Sequence, residues 1–172
     1  MIVPGSPRDN AAIERRLISS GSPYERTVGF SRAVIVGERV FVAGTAPVMP
    51  DGGDPPADSY GQAKRCLEII GRAVEEAGGS LADVVRTRVY LTPAADFAGV
   101  AQAHGEAFAD VRPANTTVIV AALVDPRWLV EIEADAVLGH PPKMLSMFRG
   151  FRLAPSLRSG VSSGIGRHRA QA

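Results

Sequence analysis

The strongest periodic pattern in the chain is a helical one between residues 58 and 79. Apolar side chains recur there at intervals of three and four residues, and they are Ala63, Cys66, Leu67, Ile70, Val74 and Ala77. This spacing places them on one face of an α-helix. Asp58 or Ser59 suits the N-cap, and the pair Gly78-Gly79 is typical of a helix C-terminus. We therefore predict an amphipathic helix that packs on a core.

Alternating apolar positions predict β-strands elsewhere in the chain. The predicted strands cover residues 31–36, 40–43, 84–91, 116–123 and 130–138, and the first two form a hairpin around residues 37–39. The last strand alternates most regularly, because Glu131, Glu133 and Asp135 interleave with apolar residues. In the strand at 84–91, one face is predicted to hold Val85, Thr87, Val89 and Leu91, and the other Arg86, Arg88 and Tyr90.

Two weaker patterns predict further helical structure. Thr92 and Pro93 fit the N-cap and first position of a second helix, whose apolar face would include Phe97 and Phe108. Residues 11–18 predict one short helical turn near the N-terminus. The order β-β-α-β-α-β-β then predicts an α+β fold in which two helices cover one face of a mixed sheet of about six strands.

The other face of this sheet has no predicted helix to cover it. The charged residues of two neighbouring strands are predicted to lie there, and they are Arg86, Arg88, Glu131, Glu133 and Asp135. Charged side chains on such a face are tolerated when they pair or line a wet cavity. We therefore predict that this face meets other subunits of an oligomer.

Composition adds expectations about compartment and partners. The chain has 172 residues, a single cysteine and a formal net charge of +1. One cysteine cannot form an intramolecular disulfide, and no apolar run has the length of a secretory signal or a membrane span, so we expect a cytoplasmic protein without membrane contact. Residues 143–172 carry six basic and no acidic side chains. Only this tail could contact phosphates, so nucleic-acid binding is not expected of the domain.

Breaks in the pattern divide the chain into three parts. Residues 1–22 form an N-terminal segment, residues 23–140 the folded domain, and residues 141–172 a basic tail that begins at Pro141-Pro142. The tail is rich in Gly, Ser and Arg and has no clear strand or helix period, which is typical of a disordered segment.

Three segments in a fixed order carry a resemblance to a known family. They are Val-Phe-Val-Ala-Gly-Thr-Ala-Pro at 40–47, Ala-Gly-Gly-Ser-Leu-Ala-Asp-Val-Val at 77–85, and Arg-Pro-Ala at 112–114 followed by Val-Glu-Ile-Glu-Ala at 130–134. Together they resemble the RidA/YjgF family over about residues 23–138. The resemblance implies a chorismate-mutase-like α+β fold and a homotrimeric barrel with clefts between subunits. It also implies hydrolysis of reactive enamines or imines without a metal or organic cofactor.

The resemblance implies a substrate site that is only partly retained. Tyr24, Gly44 and Glu131 match site positions of the family, and a carboxylate at Glu131 would orient and deprotonate the attacking water. The arginine that binds the substrate carboxylate in deaminating members is replaced by Asn115. Because an amide lacks the fixed charge and paired donors of a guanidinium, affinity for 2-imino acids should fall. Thr117 stands where a cysteine or its equivalent is usual.

Several candidate residues keep two interpretations. Arg88 either replaces the missing arginine or pairs with a glutamate of the last strand, and Arg112 either reaches a substrate carboxylate or lies on the surface. His104 either titrates in the site or fills the core or an interface. Glu131 either acts chemically or pairs with an arginine of the 84–91 strand. Cys66 is expected to be a buried apolar residue and not a nucleophile.

Two functions from different classes remain open at this point. The first is a Rid-type hydrolase or deaminase acting on a small imine, enamine or related carbonyl compound. The second is a non-catalytic trimer that binds a small metabolite, because Ala43, Ala101 and Asn115 replace polar site residues of the family. RNA cleavage, which older family descriptions mention, has the least support. The chain has no zinc-ligand spacing and no phosphate-binding loop, so no metal or cofactor is expected.

Overall fold

The computed structural model describes residues 14–139, which build one sheet and the helices packed on it. The strands are β1 Arg15–Ile18, β2 Ala33–Val36, β3 Arg39–Thr45, β4 Val84–Leu91, β5 Ala114–Ile119 and β6 Val130–Val137, and the long helices are α1 Ser59–Glu76 and α2 Phe97–Phe108. Short helical segments cover Glu25–Gly29 and Leu81–Asp83. The strand order is β1-β2-β3-β6-β4-β5, with only β4 and β5 parallel. This confirms the predicted mixed six-stranded α+β sheet; the predicted tail and residues 1–13 lie outside the described part.

Helix α1 forms where the apolar period predicts it. The side chain of Asp58 caps its N-terminus by accepting a hydrogen bond from the Gly61 backbone N–H at 2.8 Å. At its end, the Gly79 N–H donates to the Val74 carbonyl while Gly78 takes a φ of +99°, a conformation that favours glycine. The predicted stripe is buried against the sheet. Within residues 14–139, neither this helix nor α2 has the length and apolar content to cross a membrane.

Two local predictions near the ends of elements are wrong. Residues 15–18 form strand β1, which pairs antiparallel with β2 and places Ile18 beside Ala33 in the core, instead of a helical turn. A single helical turn is unstable alone, whereas pairing with a sheet edge satisfies the backbone. Helix α2 does not start at Thr92-Pro93, because Asp96 caps it by accepting from the N–H groups of Ala98 and Gly99.

Two strand predictions also need correction. Strand β5 runs from 114 to 119 and not from 116 to 123, since its parallel pairing with β4 starts at Ala114 and ends at Ile119. In β4 a bulge lies between Val84 and Arg86, so Val85 is an extra residue and its side chain is 47% exposed instead of buried. Because of the bulge, Val84 and not Val85 packs in the core.

The two faces of the sheet differ as the alternation predicts. Every second residue of β6 is almost fully buried beneath the helices, and these residues are Val130, Ile132, Ala134 and Ala136. On the other face, the guanidinium of Arg88 donates to Glu133 and to Asp135, both at 3.2 Å. We call this the open face, because no described helix covers it.

A buried amide fixes the start of β6. The Gln62 side chain, only 1% exposed, donates to the carbonyls of Pro56 and Arg127 at 2.8 and 2.9 Å, and it accepts from the Leu129 N–H at 2.7 Å. One side chain of α1 therefore satisfies three backbone groups of two loops. Since Leu129 precedes β6, these bonds also help to place Glu131.

Replacing this amide by an isosteric apolar group should destabilise the fold. We expect Gln62→Leu to lower the free energy of unfolding by about 3 kcal/mol, because three buried backbone groups lose their partner. Urea unfolding followed by circular dichroism measures the loss. Gln102→Leu is the matched control, since Gln102 lies exposed on α2 and bonds only Glu106. Equal stability of the two variants would contradict this assignment.

Candidate functional site

The first cluster of the candidate site is built around Glu131 on the open face. Its carboxylate lies directly against Gly44, and a Cβ added to that glycine would overlap Glu131 Oε1. Strand β3 carries a bulge at this point, because Val42 pairs with Ala134 while Thr45 already pairs with Ile132. The glycine within the bulge thus leaves room for the carboxylate.

The surroundings of Glu131 favour its protonated form. The residue is half-buried, and this burial raises the pKa of its carboxyl group; the negative charge of Glu133 adds to the rise, and the positive charge of Arg32 opposes it. A carboxylate with a raised pKa is a stronger base than an exposed one. Glu131 is therefore suited to accept a proton from a water molecule and to return it.

Arg32 belongs to the same cluster, and the sequence analysis missed it. Its Nη1 donates to Thr45 Oγ1 at 2.9 Å and to the Gly44 carbonyl at 3.4 Å. Burial lowers the pKa of the guanidinium, against the opposing charges of Glu25 and Glu131. The pairing in the β2-β3 hairpin would have placed Arg32 at this site. The Ala43 N–H donates to the Arg32 carbonyl at 3.0 Å, so Arg32 lies opposite the residue before Gly44.

A second cluster connects the edge strand β5 to helix α2. Thr117 Oγ1 donates to Asn115 Oδ1, and Asn115 Nδ2 donates to Thr87 Oγ1, both at 3.0 Å. Thr87 Oγ1 also lies 2.9 Å from His104 Nε2. The Thr87 hydroxyl thus accepts from the amide and shares a second hydrogen bond with His104, whose direction depends on the tautomer of the imidazole.

This second cluster is electrically neutral. Burial lowers the pKa of His104, and its ring packs against Phe108 with centroids 4.7 Å apart. The neutral ring, the threonine hydroxyls and the amide satisfy one another. His104 thus acts as a partly buried hydrogen-bond partner that orients Thr87, and through it the predicted site residue Asn115.

The two clusters lie on opposite faces of the sheet. Thr87 pairs with both Asn115 and Ala134 and faces the helices, whereas Tyr90 pairs with Glu131 and faces the other way. Residues directly opposite in a ladder share a face, so Asn115 and Thr117 point away from the side of Glu131. A small molecule bound on one face of this sheet therefore meets one of the two clusters and not the other.

The remaining predicted residues are found outside these clusters. Tyr24 precedes the short helical segment 25–29 and is 67% exposed. The guanidinium of Arg88 is occupied by two carboxylates of β6, and Arg112 takes a φ of +51° on an exposed loop, with its Nε donating to the Ala109 carbonyl at 3.2 Å. Their roles toward a substrate stay predictions.

Cys66 is a buried side chain of the core. Its Sγ lies 3.8 Å from the Val130 carbonyl, and burial strongly raises the pKa of the thiol. A protonated, inaccessible thiol is a poor nucleophile. Across residues 14–139, no group of three or more His, Cys, Asp or Glu side chains is arranged to hold a metal ion.

Comparison with known proteins places this fold and these residues in a family. A family model described as Endoribonuclease L-PSP matches residues 22–138. The chain belongs to this YjgF/RidA family. Rv2704 of Mycobacterium tuberculosis, a YjgF family member of known structure, superposes with a TM-score of 0.66 at 43% identity, covering 73% of this chain and 100% of that one. The chorismate-mutase-like fold expected from the motifs is thereby supported.

Relatives in the YjgF/RidA family bear on chemistry as well as fold. A Streptomyces coelicolor protein without an assigned function is 40% identical over 124 residues, 72% of this chain and 92% of that protein. TdcF of Escherichia coli, provisionally named a reactive intermediate deaminase, is 35% identical over 111 residues, 63% of this chain and 85% of its own. A structure of TdcF with bound serine superposes with a TM-score of 0.60 at 31% identity, covering 72% of this chain and 94% of TdcF.

The charge environment of Glu131 can be tested by titration. We expect its pKa, measured from the side-chain carboxyl carbon by NMR, to lie above the ordinary glutamate range. Glu133→Gln should lower this pKa, because a neighbouring negative charge is removed, and Arg32→Gln should raise it, because a positive charge is removed. A value for Glu131 at or below that of an exposed glutamate, or shifts of the opposite sign, would refute the described arrangement.

Proposed function

We propose that this chain is a hydrolase of small reactive imines and enamines, with Glu131 as the residue that positions and deprotonates water. The observation that carries the proposal is the seating of a half-buried Glu131 carboxylate, with a raised pKa, against Gly44 and near Arg32. Membership in a family with a member provisionally named a reactive intermediate deaminase supports the same chemistry.

The proposed reaction needs only water and this carboxylate. An enamine first tautomerises to its imine, which takes up a proton from solvent to become an iminium, and Glu131 accepts a proton as the water oxygen attacks the iminium carbon. The resulting carbinolamine has one new C–O bond and a former imine nitrogen that is now an amine. Glu131 then returns the proton to this nitrogen, and as the C–N bond breaks Glu131 accepts the remaining hydroxyl proton. A carbonyl product and ammonia leave, and the proton passes from Glu131 to the ammonia or to solvent.

The proposed site is a cleft between subunits of a homotrimer. Glu131, Gly44 and Arg32 come from one subunit, and Asn115 and Thr117 come from its neighbour. Two observations support this assembly: the clusters lie on opposite faces of one sheet, and β5 is exposed along almost its whole length. The open face also presents Phe41 and Val118, each 43% exposed, as apolar contact area.

A non-catalytic metabolite-binding trimer is the second candidate. The observation that favours it is the neutral, mutually satisfied cluster of Thr87, Asn115 and Thr117 in the place of a charged substrate ligand. Such a cluster suits an uncharged group of a ligand. RNA cleavage is not proposed, since residues 1–142 carry 13 basic and 18 acidic side chains and would repel a polyanion.

Ammonia release tests the catalytic proposal. Imines are generated in situ by a pyridoxal-phosphate dehydratase acting on serine or threonine, and substrates without a carboxylate are included because of Asn115. We expect Glu131→Gln to lower kcat by about 100-fold or more, the usual contribution of a general base. Glu106→Gln is the control, because Glu106 lies on the exposed side of α2 and pairs with Lys64.

The catalytic proposal fails if wild type and Glu131→Gln release ammonia at the same rate from every substrate. In that case a metabolite that raises the melting temperature without being consumed would favour the binding trimer. A measured mass of three times the 18.1 kDa chain mass, by light scattering, is expected under both candidates.

Mixing two inactive variants tests whether each cleft uses two subunits. Glu131→Gln and Asn115→Ala are unfolded together in equal amounts and refolded as mixed trimers. We expect recovery of about a quarter of the wild-type activity, since each cleft draws its two residues independently from neighbouring subunits. Each variant refolded alone is the control. If both residues act within one subunit, every subunit of the mixture carries a defect and no activity returns.

A further inference from the structure

Three arginines of the described chain are candidates to bind an anionic substrate. The resemblance places a carboxylate-binding arginine where this chain has Asn115, so another cation must serve if the substrate is an acid. Arg88 is already paired with Glu133 and Asp135. Arg112 lies on an exposed loop on the far side of the β4-β5 pair from the bulge in β3. The third is Arg32.

Arg32 differs from the other two in its contacts. Within residues 14–139, its hydrogen-bond acceptors are Thr45 Oγ1 and the Gly44 carbonyl, both reached through Nη1, and no carboxylate forms an ion pair with it. Its Nε–H and Nη2–H therefore keep their capacity to donate, in the parallel geometry that matches a carboxylate. The guanidinium is partly buried, so water screens it less than an exposed cation.

The acidic groups near Arg32 are committed elsewhere or set apart from it. Glu25 is held by the hydroxyls of Ser19 and Ser20, at 2.7 and 2.6 Å. Glu131 acts on Arg32 through its charge without forming an ion pair. A ligand carboxylate would therefore meet a cation that forms no ion pair with any carboxylate of residues 14–139. The same cation donates to the carbonyl of Gly44, the residue against which Glu131 lies.

We propose that Arg32 binds the carboxylate of the substrate, and that this chain takes 2-imino acids or their enamines despite Asn115. The guanidinium offsets the repulsion between an anionic substrate and Glu131, and it holds the carbon next to the carboxylate beside the water that Glu131 orients. The turnover of such substrates rests on the proposed function. The binding of their stable products does not, so the two can be tested apart.

Binding of a stable product and its neutral counterpart tests the role of Arg32. The probes are 2-oxobutanoate and 2-oxobutanamide, titrated by calorimetry and by the NMR signals of the Gly44 and Thr45 amides. We expect Arg32→Gln to weaken the binding of 2-oxobutanoate by about 10- to 100-fold, the range for losing a charge-assisted pair. Binding of 2-oxobutanamide should change by no more than about twofold, because no charged pair is lost.

Two further variants separate a binding role from a structural one. Arg32→Lys keeps the charge without the paired donors, so it should weaken the binding of 2-oxobutanoate by about threefold to tenfold. Arg112→Gln tests the competing arginine and should leave the binding of both probes unchanged. Arg72→Gln, which removes an exposed arginine of α1, is the matched control. Melting temperatures of all variants show whether the fold is kept, and Arg32→Lys serves if Arg32→Gln does not fold.

The proposal is overturned if the wild-type protein does not bind 2-oxobutanoate at millimolar concentration. Equal weakening of the binding of both probes by Arg32→Gln would overturn it too, since that indicates a structural role. A larger loss of 2-oxobutanoate affinity in Arg112→Gln than in Arg32→Gln would also overturn it. If the charge-selective pattern is found but no imine releases ammonia, Arg32 is the carboxylate ligand of a binding protein. That outcome supports this inference while refuting the proposed hydrolysis.

Discussion

The rest of the structure depends on the strict alternation of strand β6 at the centre of the sheet. Its four apolar residues are buried beneath the helices while Glu131, Glu133 and Asp135 face the other side. A shift of one residue would bury three carboxylates in the core, which costs several kcal/mol for each unpaired charge. The register of β3 and β4 on either side is therefore fixed by the same pattern that places Glu131.

The same alternation divides the polar residues of the candidate site into two clusters with different electrostatics. Around Gly44, the carboxylate of Glu131 and the guanidinium of Arg32 carry opposite charges. On the helix-facing side of the edge strand, Asn115 and Thr117 form a neutral hydrogen-bonded chain that ends at His104. The two clusters therefore differ in charge as well as in their place on the sheet.

Sequence patterns predicted the elements whose stability comes from a long, regular apolar period. Helix α1 and strand β6 are of this kind, and both match the structure. The pattern failed where a distant contact decides, as at β1, which is a strand only because β2 pairs with it. It failed again at α2, where Thr92 and Asp96 are both good caps and the backbone N–H of Asp96 donates to Ser59 Oγ at the start of α1.

Residues of the candidate site were predictable by type and less so by position. Glu131 and Gly44 follow from the family motifs, and the structure brings them into contact. Arg32 was missed because its place in the site comes from the hairpin register and not from any motif. The opposite orientation of Asn115 and Glu131 could not be read from the sequence either, since it requires the order of the strands and their pairing.

The bulge in β3 has a consequence for how this segment tolerates change in length. Before the bulge, Val40 and Val42 face the helices, and after it Thr45 does, so one added residue reverses which positions point inward. Deleting a single residue between Val42 and Thr45 would restore plain alternation, with Thr45 still opposite Ile132, and would remove the extra residue beside which Glu131 lies. The alternation of the strand can therefore do without the added residue, whereas the seat of the Glu131 carboxylate depends on it.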